Sequence, residues 1–400
     1  MKYYIELLES NQILRRLSTI QLIAYFGAWF SNVAIYTLLL EMKVSAEIVA
    51  FVAMLHFLAG VIQAPFSGVI IDSFKPKKIM LTLVSIEIFS TFCLTLVHSL
   101  TDLWLLYFLI FIKMSAASFY FTTEMSLLPK LLEGNKLQKA NELHSIIWSF
   151  SYTLGMAISG FVVFYFGTMV AFILDALMFV VAFFMLYSLK IDINIIETEE
   201  KLLEMIQDTF KYLQKNKVAM HLMLLHAFLG FTAFDALVAL MVNQYYSTII
   251  AVSLALGLLH SARAIGLVVG PLIISRKLNN KLIVFMFIGQ ALAIFLWATL
   301  MYDFYLSLFA SIIVGLFSTT LWSYTYTLLQ THIEEKYYGR VVSYNDMLFL
   351  STAAFTSFMI GYLAERSYSL EIITIILGCC FIVAGLYFAW LLKTKDIKEL

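Results

Sequence analysis

The chain has 400 residues, 62% hydrophobic and 13% charged, with a mean hydropathy of +0.90 and no net charge. A soluble domain holds roughly 45–50% apolar and about 25% charged residues, so this excess cannot be buried in one water-surrounded core, and the solvent must be lipid. Balanced charge argues against a nucleic-acid partner. The three cysteines, Cys93, Cys379 and Cys380, lie inside apolar runs and give neither a disulfide framework nor a metal spacing.

In chain order, residues 1–16 are too polar for a secretory signal peptide, so the first apolar run is expected to be retained. Twelve apolar runs follow: 17–40, 46–71, 79–98, 103–125, 141–165, 169–189, 218–246, 250–274, 282–301, 305–330, 343–364 and 370–392. Each is close to the roughly 20 residues that cross a bilayer as a helix. They are apolar on all sides. Open strands cannot satisfy their backbone in lipid, and barrel strands would be about half as long and would alternate in polarity. The expected fold is an all-α membrane protein with twelve transmembrane helices.

Lys and Arg set the orientation. With the N-terminus in the cytoplasm, 22 of the 26 basic residues fall in cytoplasmic segments and only Lys43 and Arg366 on the opposite side. Lys113 and Arg263 sit inside spans. Both termini are therefore expected in the cytoplasm.

The longest polar stretch, 190–217, separates six spans from six. Within it Leu202, Ile206, Phe210 and Leu213 recur at helical spacing among charges, which reads as an amphipathic helix on the cytoplasmic face. The expected organisation is an N-terminal bundle, 1–189, a linker, 190–217, and a C-terminal bundle, 218–400. The halves repeat loosely. GVIIDSFKPKKIM (68–80) after span two has a counterpart in GPLIISRKLNNKLIVF (270–285) after span eight, with Ile274 where the first copy has Asp72. The segments 127–143 and 328–346, after spans four and ten, correspond likewise. Duplicated six-helix halves with a midplane site are the architecture of secondary transporters.

Ionisable residues inside spans are costly, so each is a functional candidate. Glu87, Lys113, Asp235 and Arg263 lie well inside spans three, four, seven and eight, and Asp175 lies shallower in span six. Depth along consecutive helices allows two buried pairs, Glu87 with Lys113 and Asp235 with Arg263. A shallow acid such as Asp175 can instead reach the interface. Trp29, Asn32 and Tyr36 recur at helical spacing in span one, and Phe317, Leu321 and Tyr324 do so in span ten, beside Trp322. They offer aromatic walls for a bulky, partly apolar or cationic cargo, or ordinary packing between helices. The phosphate loop GxxxxGK[ST] is absent, as is a nucleophile elbow, so no ATP motor, no enzyme and no cofactor are expected.

Five segments in register carry a resemblance to a known family: QLIAYFGAWFSNVA (21–34), the turn from Gly68 to Asp72, LLPKLL followed by KANEL (139–143), FILDALMFVVA (172–182), and Gln330 with Gly339, Arg340 and Val341. The chain resembles major facilitator superfamily permeases of the bacterial branch that includes enterobactin exporters and macrolide-efflux proteins. It departs from them at Ala28, Ser73 and Lys75, where that branch often has an acid, a basic residue and a glycine.

The resemblance implies two pseudo-symmetric six-helix bundles, with spans one, four, seven and ten lining a central cavity. It makes Lys113 and Asp235 the leading proton-coupling residues, with Glu87 and Arg263 beside them. Trp29, Asn32, Tyr36, Trp322 and Tyr324 then form the substrate surface. It also implies a gating turn of Gly68, Asp72, Lys77, Lys78 and Arg340, in which the dipole of span eleven favours Asp72. The expected function is proton-coupled export of small drug-like or siderophore-like amphiphiles across a bacterial inner membrane by a monomer. Alternatives are uptake, lysophospholipid movement or, from another class, a membrane enzyme or sensor.

Overall fold

Lipid offers the backbone no hydrogen-bond partner, so apolar runs of this length can satisfy their peptide groups only as helices. The computed structural model of the protein describes residues 2–132, 134–189, 202–274, 278–334, 337–395 and 397. Among them it contains no strand. Its helices are α1 (Lys2–Ser10), α2 (Gln12–Glu41), α3 (Ala46–Ser73), α4 (Pro76–Cys93), α5 (Leu103–Leu131), α6 (Gly134–Ser188), α7 (Leu202–Lys215), α8 (Lys217–Ala227), α9 (Asp235–Met241), α10 (Val252–Ile274), α11 (Asn280–Leu300), α12 (Phe304–Gln330), α13 (Tyr338–Glu365) and α14 (Leu370–Thr394). Polar caps mark several starts. Asn11, Asn279, Asp303 and Ser369 each accept a hydrogen bond from a backbone N–H in the first turn of α2, α11, α12 and α14.

Among the described residues, eleven helical stretches are long and apolar enough to cross a membrane. One of them, Ile146–Ser188, has 43 residues, which at 1.5 Å per residue is about 65 Å, twice a hydrocarbon core. It is broken in the middle at Gly167, whose φ of 82° is open to glycine and strained for other residues. The break falls between the expected spans five and six, so the stretch divides into two and twelve crossings result. Large apolar side chains face outward along the spans, including Phe89, Trp104, Phe184 and Phe285. Water would penalise such a surface, and acyl chains do not.

Span seven is not continuous. After α8 the chain tightens into a 3₁₀ turn, Phe228–Thr232, before α9 and a π-helical turn, Val242–Tyr246. Gly230 lets that turn approach α13. A Cβ there would lie 2.7 Å from the backbone nitrogen of Ala353.

Two compact units emerge from the packing. The first comprises Met1–Lys43, Ile62–Thr198 and Ala251–Ser261, and the second Val44–Val61, Glu199–Ile250 and Ala262–Leu400. Relative to the halves of the sequence repeat, the opening stretches of α3 and α10 change sides. Within the first unit, Gly257 of α10 packs on Gly160 of α6. A Cβ on Gly257 would come 2.6 Å from the Met156 carbonyl oxygen. Within the second, Gly361 of α13 packs on Ala46 and Ala50 of α3. Small residues allow both close approaches, as is usual between helices in lipid.

Within the long polar stretch, Leu202–Lys215 form the helix α7. Tyr212 stacks on Tyr337 (4.0 Å between ring centroids, 11° between planes), and its hydroxyl accepts the Glu334 N–H. Arg340 donates to the Thr209 hydroxyl (3.4 Å), and Leu213 is buried. Phe210, expected on the apolar stripe with Leu213, is exposed. The helix turns its Thr209–Leu213 side to the segment before α13, a partner that the spacing of apolar residues could not reveal. The side chains of Leu202 and Ile206 lie outside the described residues.

Candidate functional site

The first unit buries four polar side chains from four crossings against one another. Lys113 extends from the middle of α5, and its Nζ lies 2.7 Å from the Asp175 Oδ2 on α6. The same ammonium donates to the Thr91 hydroxyl of α4 (2.7 Å) and lies 3.5 Å from the Ser31 hydroxyl of α2. Ser31 itself donates to the Asp175 Oδ2. The Phe179 ring, one turn beyond Asp175, lies 4.9 Å from the ammonium. Lys113 and Asp175 are only 5% and 0% exposed at the side chain, so neither charge reaches water.

Gly27 makes room for the acid. A Cβ there would lie 2.6 Å from the Asp175 Oδ1, an oxygen that has no hydrogen-bond partner among the described residues. Glu87 is buried nearby on α4, within electrostatic range of both Lys113 and Asp175. The site therefore holds one cation and two carboxylates, with one carboxylate in direct contact. Such an arrangement can change state by moving one proton, because protonating the bound carboxylate removes most of the Coulomb attraction that holds the lysine.

This corrects two expectations. Asp175 is the direct partner of Lys113, and Glu87 stands beside the pair. Adjacent numbering favoured spans three and four, but helix packing brings span six closer. Nor is Asp175 a shallow acid reaching for the interface. It lies eight residues beyond the Gly167 break, about 12 Å along the helix.

Asp235 and Arg263, in the second unit, form no ion pair among the described residues. Arg263 donates from Nη2 to the Thr232 carbonyl oxygen (2.9 Å), and its guanidinium lies 4.9 Å from the Phe234 ring centroid. Its Nε is buried without a partner among the described residues. The break in span seven frees carbonyl groups that a continuous helix would use, and the arginine satisfies one of them. Asp235 opens α9, half-buried, where the helix dipole favours an acid.

The aromatic candidates separate as well. Trp29 packs on Trp148 and Tyr152 of α6, at 5.9 and 4.6 Å between centroids, and its indole N–H has no partner among the described residues. Asn32 is buried, with its Oδ1 unpartnered among the described residues. Tyr36 is fully buried in helix packing, and Tyr324 is buried too, its hydroxyl donating to Asn280 (2.9 Å). Both belong to the packed interior, against the expectation of a cargo surface. Trp322 is open and stacks on Tyr326 (4.9 Å, 18°) beside His226. Helical spacing groups residues on one face without revealing what covers that face.

At the turn after α3, Lys77 donates to the Tyr187 carbonyl oxygen (2.8 Å), near the end of α6, where a cation complements the helix dipole. Lys78 is exposed. Gly68 and Asp72 fall in the last turns of α3, and their side-chain surroundings lie outside the described residues. Arg340 faces Thr209 and the Tyr337 ring.

The family profile of the Major Facilitator Superfamily matches residues 17–351. The chain belongs to that superfamily. Solved structures agree on the fold. The xylose transporter XylE from E. coli, in an inward-open conformation, superimposes with a TM-score of 0.75 at 13% identity, over 97% of each chain. The nucleoside transporter NupG gives 0.70 at 13% identity, over 96% of this chain and 100% of that one. A structure of proton-dependent oligopeptide transporters gives 0.75 at 12% identity, over 95% and 98%. Comparison with curated protein sequences returns no match. At these identities the structural likeness establishes the fold alone. This facilitator is a multi-pass membrane protein and a secondary transporter of a small molecule rather than an enzyme.

Proposed function

We propose that this facilitator exports small amphiphilic molecules across a bacterial inner membrane in exchange for protons, with Lys113, Asp175 and Glu87 as its coupling group. The observation that carries this reading is the buried Lys113–Asp175 pair. Within lipid an ion pair is an expensive way to join helices, and its presence points to a use for the charge. A proton reaching Asp175 neutralises the carboxylate and frees the ammonium. Glu87, in electrostatic range, is the alternative counter-charge. The two arrangements join α5 to α6 or to α4, and so bias one helix packing against another. The repeat halves, 1–189 and 218–400, act as the rocking bodies of alternating access. Asp72 and Arg340 serve as gate residues. The direction, the monomeric state and the cytoplasmic termini rest on the five family-like segments and the lysine and arginine distribution.

Arg263 takes no part in proton movement here, because a guanidinium stays charged at every physiological pH. Asp235 has no cation to release and is left out of the coupling group.

Everted membrane vesicles containing the protein provide the test. They are energised, offered a panel of dyes, macrolides and siderophores, and then treated with a protonophore. Accumulation is expected to collapse with the protonophore and to be lost in Asp175→Asn and Lys113→Ala. Protonophore-insensitive accumulation, or an unchanged pH profile in both variants, sinks the coupling role.

A further inference from the structure

We propose that a cluster of polar and aromatic side chains in the first unit, contributed by α2, α5 and α6, binds an organic cation against Glu124. The inference deepens the exporter reading by naming the charge of its cargo.

Tyr120, Phe121 and Glu124 lie within about one turn of α5 and share a face. Tyr25 and Gln21, one turn apart on α2, approach from one side, and His144 of α6 from the other. The Tyr25 and His144 rings meet edge-on at 5.9 Å, and the Phe121 and His144 rings at 5.3 Å. The Gln21 amide donates to the His144 Nδ1 (2.7 Å), so the ring proton resides on Nε2.

The polar atoms at the centre of this cluster have no partners among the described residues: the Glu124 Oε2, the Tyr25 and Tyr120 hydroxyls, and the His144 Nε2. Gln21 lies beside the Tyr25 hydroxyl without meeting hydrogen-bond geometry. Glu124 is only 2% exposed and acts electrostatically on both tyrosines. No ion pair of Glu124 is found among the described residues, and Lys113, three turns away on the same helix, is engaged by Asp175. A buried carboxylate without a donor is costly, and a positively charged guest removes that cost.

The walls fit such a guest. Phe121 and the two tyrosines supply aromatic rings, and attraction of a cation to an aromatic face is strongest where both are desolvated. The row continues away from the acid: Trp29 lies one turn beyond Tyr25 on α2, and Trp148 and Tyr152 follow His144 at successive turns of α6. These three rings lie 4.6 to 5.9 Å apart. Trp148 and Phe121 are 37% and 40% exposed, which gives the row an open side. An ammonium or phosphonium head at Glu124 would place an apolar body along Trp29, Trp148 and Tyr152. A bare inorganic cation would leave those rings unused.

The probe is tetraphenylphosphonium, with tetraphenylborate as a partner of matched size and opposite charge, in equilibrium binding to the purified full-length protein in detergent. The cation is expected to bind at least tenfold more tightly than the anion. Glu124→Gln should lose at least tenfold of cation affinity while leaving the anion unchanged, and Glu124→Asp should stay within about threefold of the native protein. Tyr25→Leu, which keeps the charge and removes a wall, should weaken the cation severalfold, so the proposal remains testable where Glu124→Gln fails to fold. Equal binding of cation and anion, or native affinity in both Glu124→Gln and Tyr25→Leu, would overturn it. Detergent binding needs no gradient, so failure here leaves proton-coupled export standing, and loss of gradient-driven transport leaves the cation site standing.

Discussion

The two units each hold a strong base inside a span, Lys113 buried and Arg263 half-buried, and they do so by different means. In the first, Lys113 is met by a carboxylate and two hydroxyls. In the second, Arg263 is met by a backbone carbonyl and an aromatic ring. A carboxylate partner can accept a proton and release its base, whereas a carbonyl partner cannot. The first arrangement is suited to switching and the second to holding a broken helix in place. The comparison shows that charge inside a span is not one kind of signal, and that the partner decides its use.

The largest effect is expected from breaking the first arrangement on one side. Asp175→Ala leaves an uncompensated buried ammonium and should cost about 3–5 kcal/mol of stability, together with transport. Replacing both partners, Lys113→Met with Asp175→Leu, should restore much of the stability, read as the thermal unfolding midpoint, but not transport. If the double variant transports with native pH dependence, the pair is only a fastener.

Gly27→Val comes next. Its side chain would occupy the space next to the Asp175 Oδ1, and overpacking of this kind costs typically 1–3 kcal/mol. Loss of transport with an intact fold, in vesicle assays and gel filtration, would tie the acid's position to function.

Arg263→Ala should destabilise by about 1–3 kcal/mol, through the orphaned carbonyl and the lost ring contact. The sharper expectation is that the pH profile of the remaining transport stays in place. A shifted profile would erase the distinction between the two units.

The smallest effect lies at the surface. The Tyr302 hydroxyl donates to Glu371 (2.6 Å), and this bond to a carboxylate, followed by partial burial, pushes the phenol up to about 12 from its ordinary 10. A raised value means that the bond contributes fully below pH 10 and is lost as pH rises toward 12. Solvent screening limits it to a few tenths of a kcal/mol. Native protein and Tyr302→Phe should therefore differ slightly in unfolding midpoint at pH 9 and converge by pH 12. A difference that persists at pH 12 removes the hydrogen bond as its cause.

Much of the site was readable in principle. Lys113, Tyr120 and Glu124 are spaced i, i+7 and i+11 on α5, so one face of that helix carries a lysine, a phenol and an acid. Glu124 sits at the end of an apolar run, where an acid ordinarily reaches water, so the sequence alone does not mark it as buried. The run boundary likewise places Asp175 near a span end, which makes it read as a shallow acid. Depth alone pairs Asp235 with Arg263, and depth cannot register a helix that breaks just before Asp235 and offers the arginine a carbonyl instead.

From its residues alone, this chain is committed to lipid, to helices about one bilayer long and to a sidedness set by lysine and arginine. Each of these follows from transfer energies that act residue by residue. Which acid meets Lys113, which carbonyl meets Arg263 and which aromatic faces stay open depend on the rotation and contact of helices far apart in the chain. Those are properties of packing, and only the tertiary structure decided them.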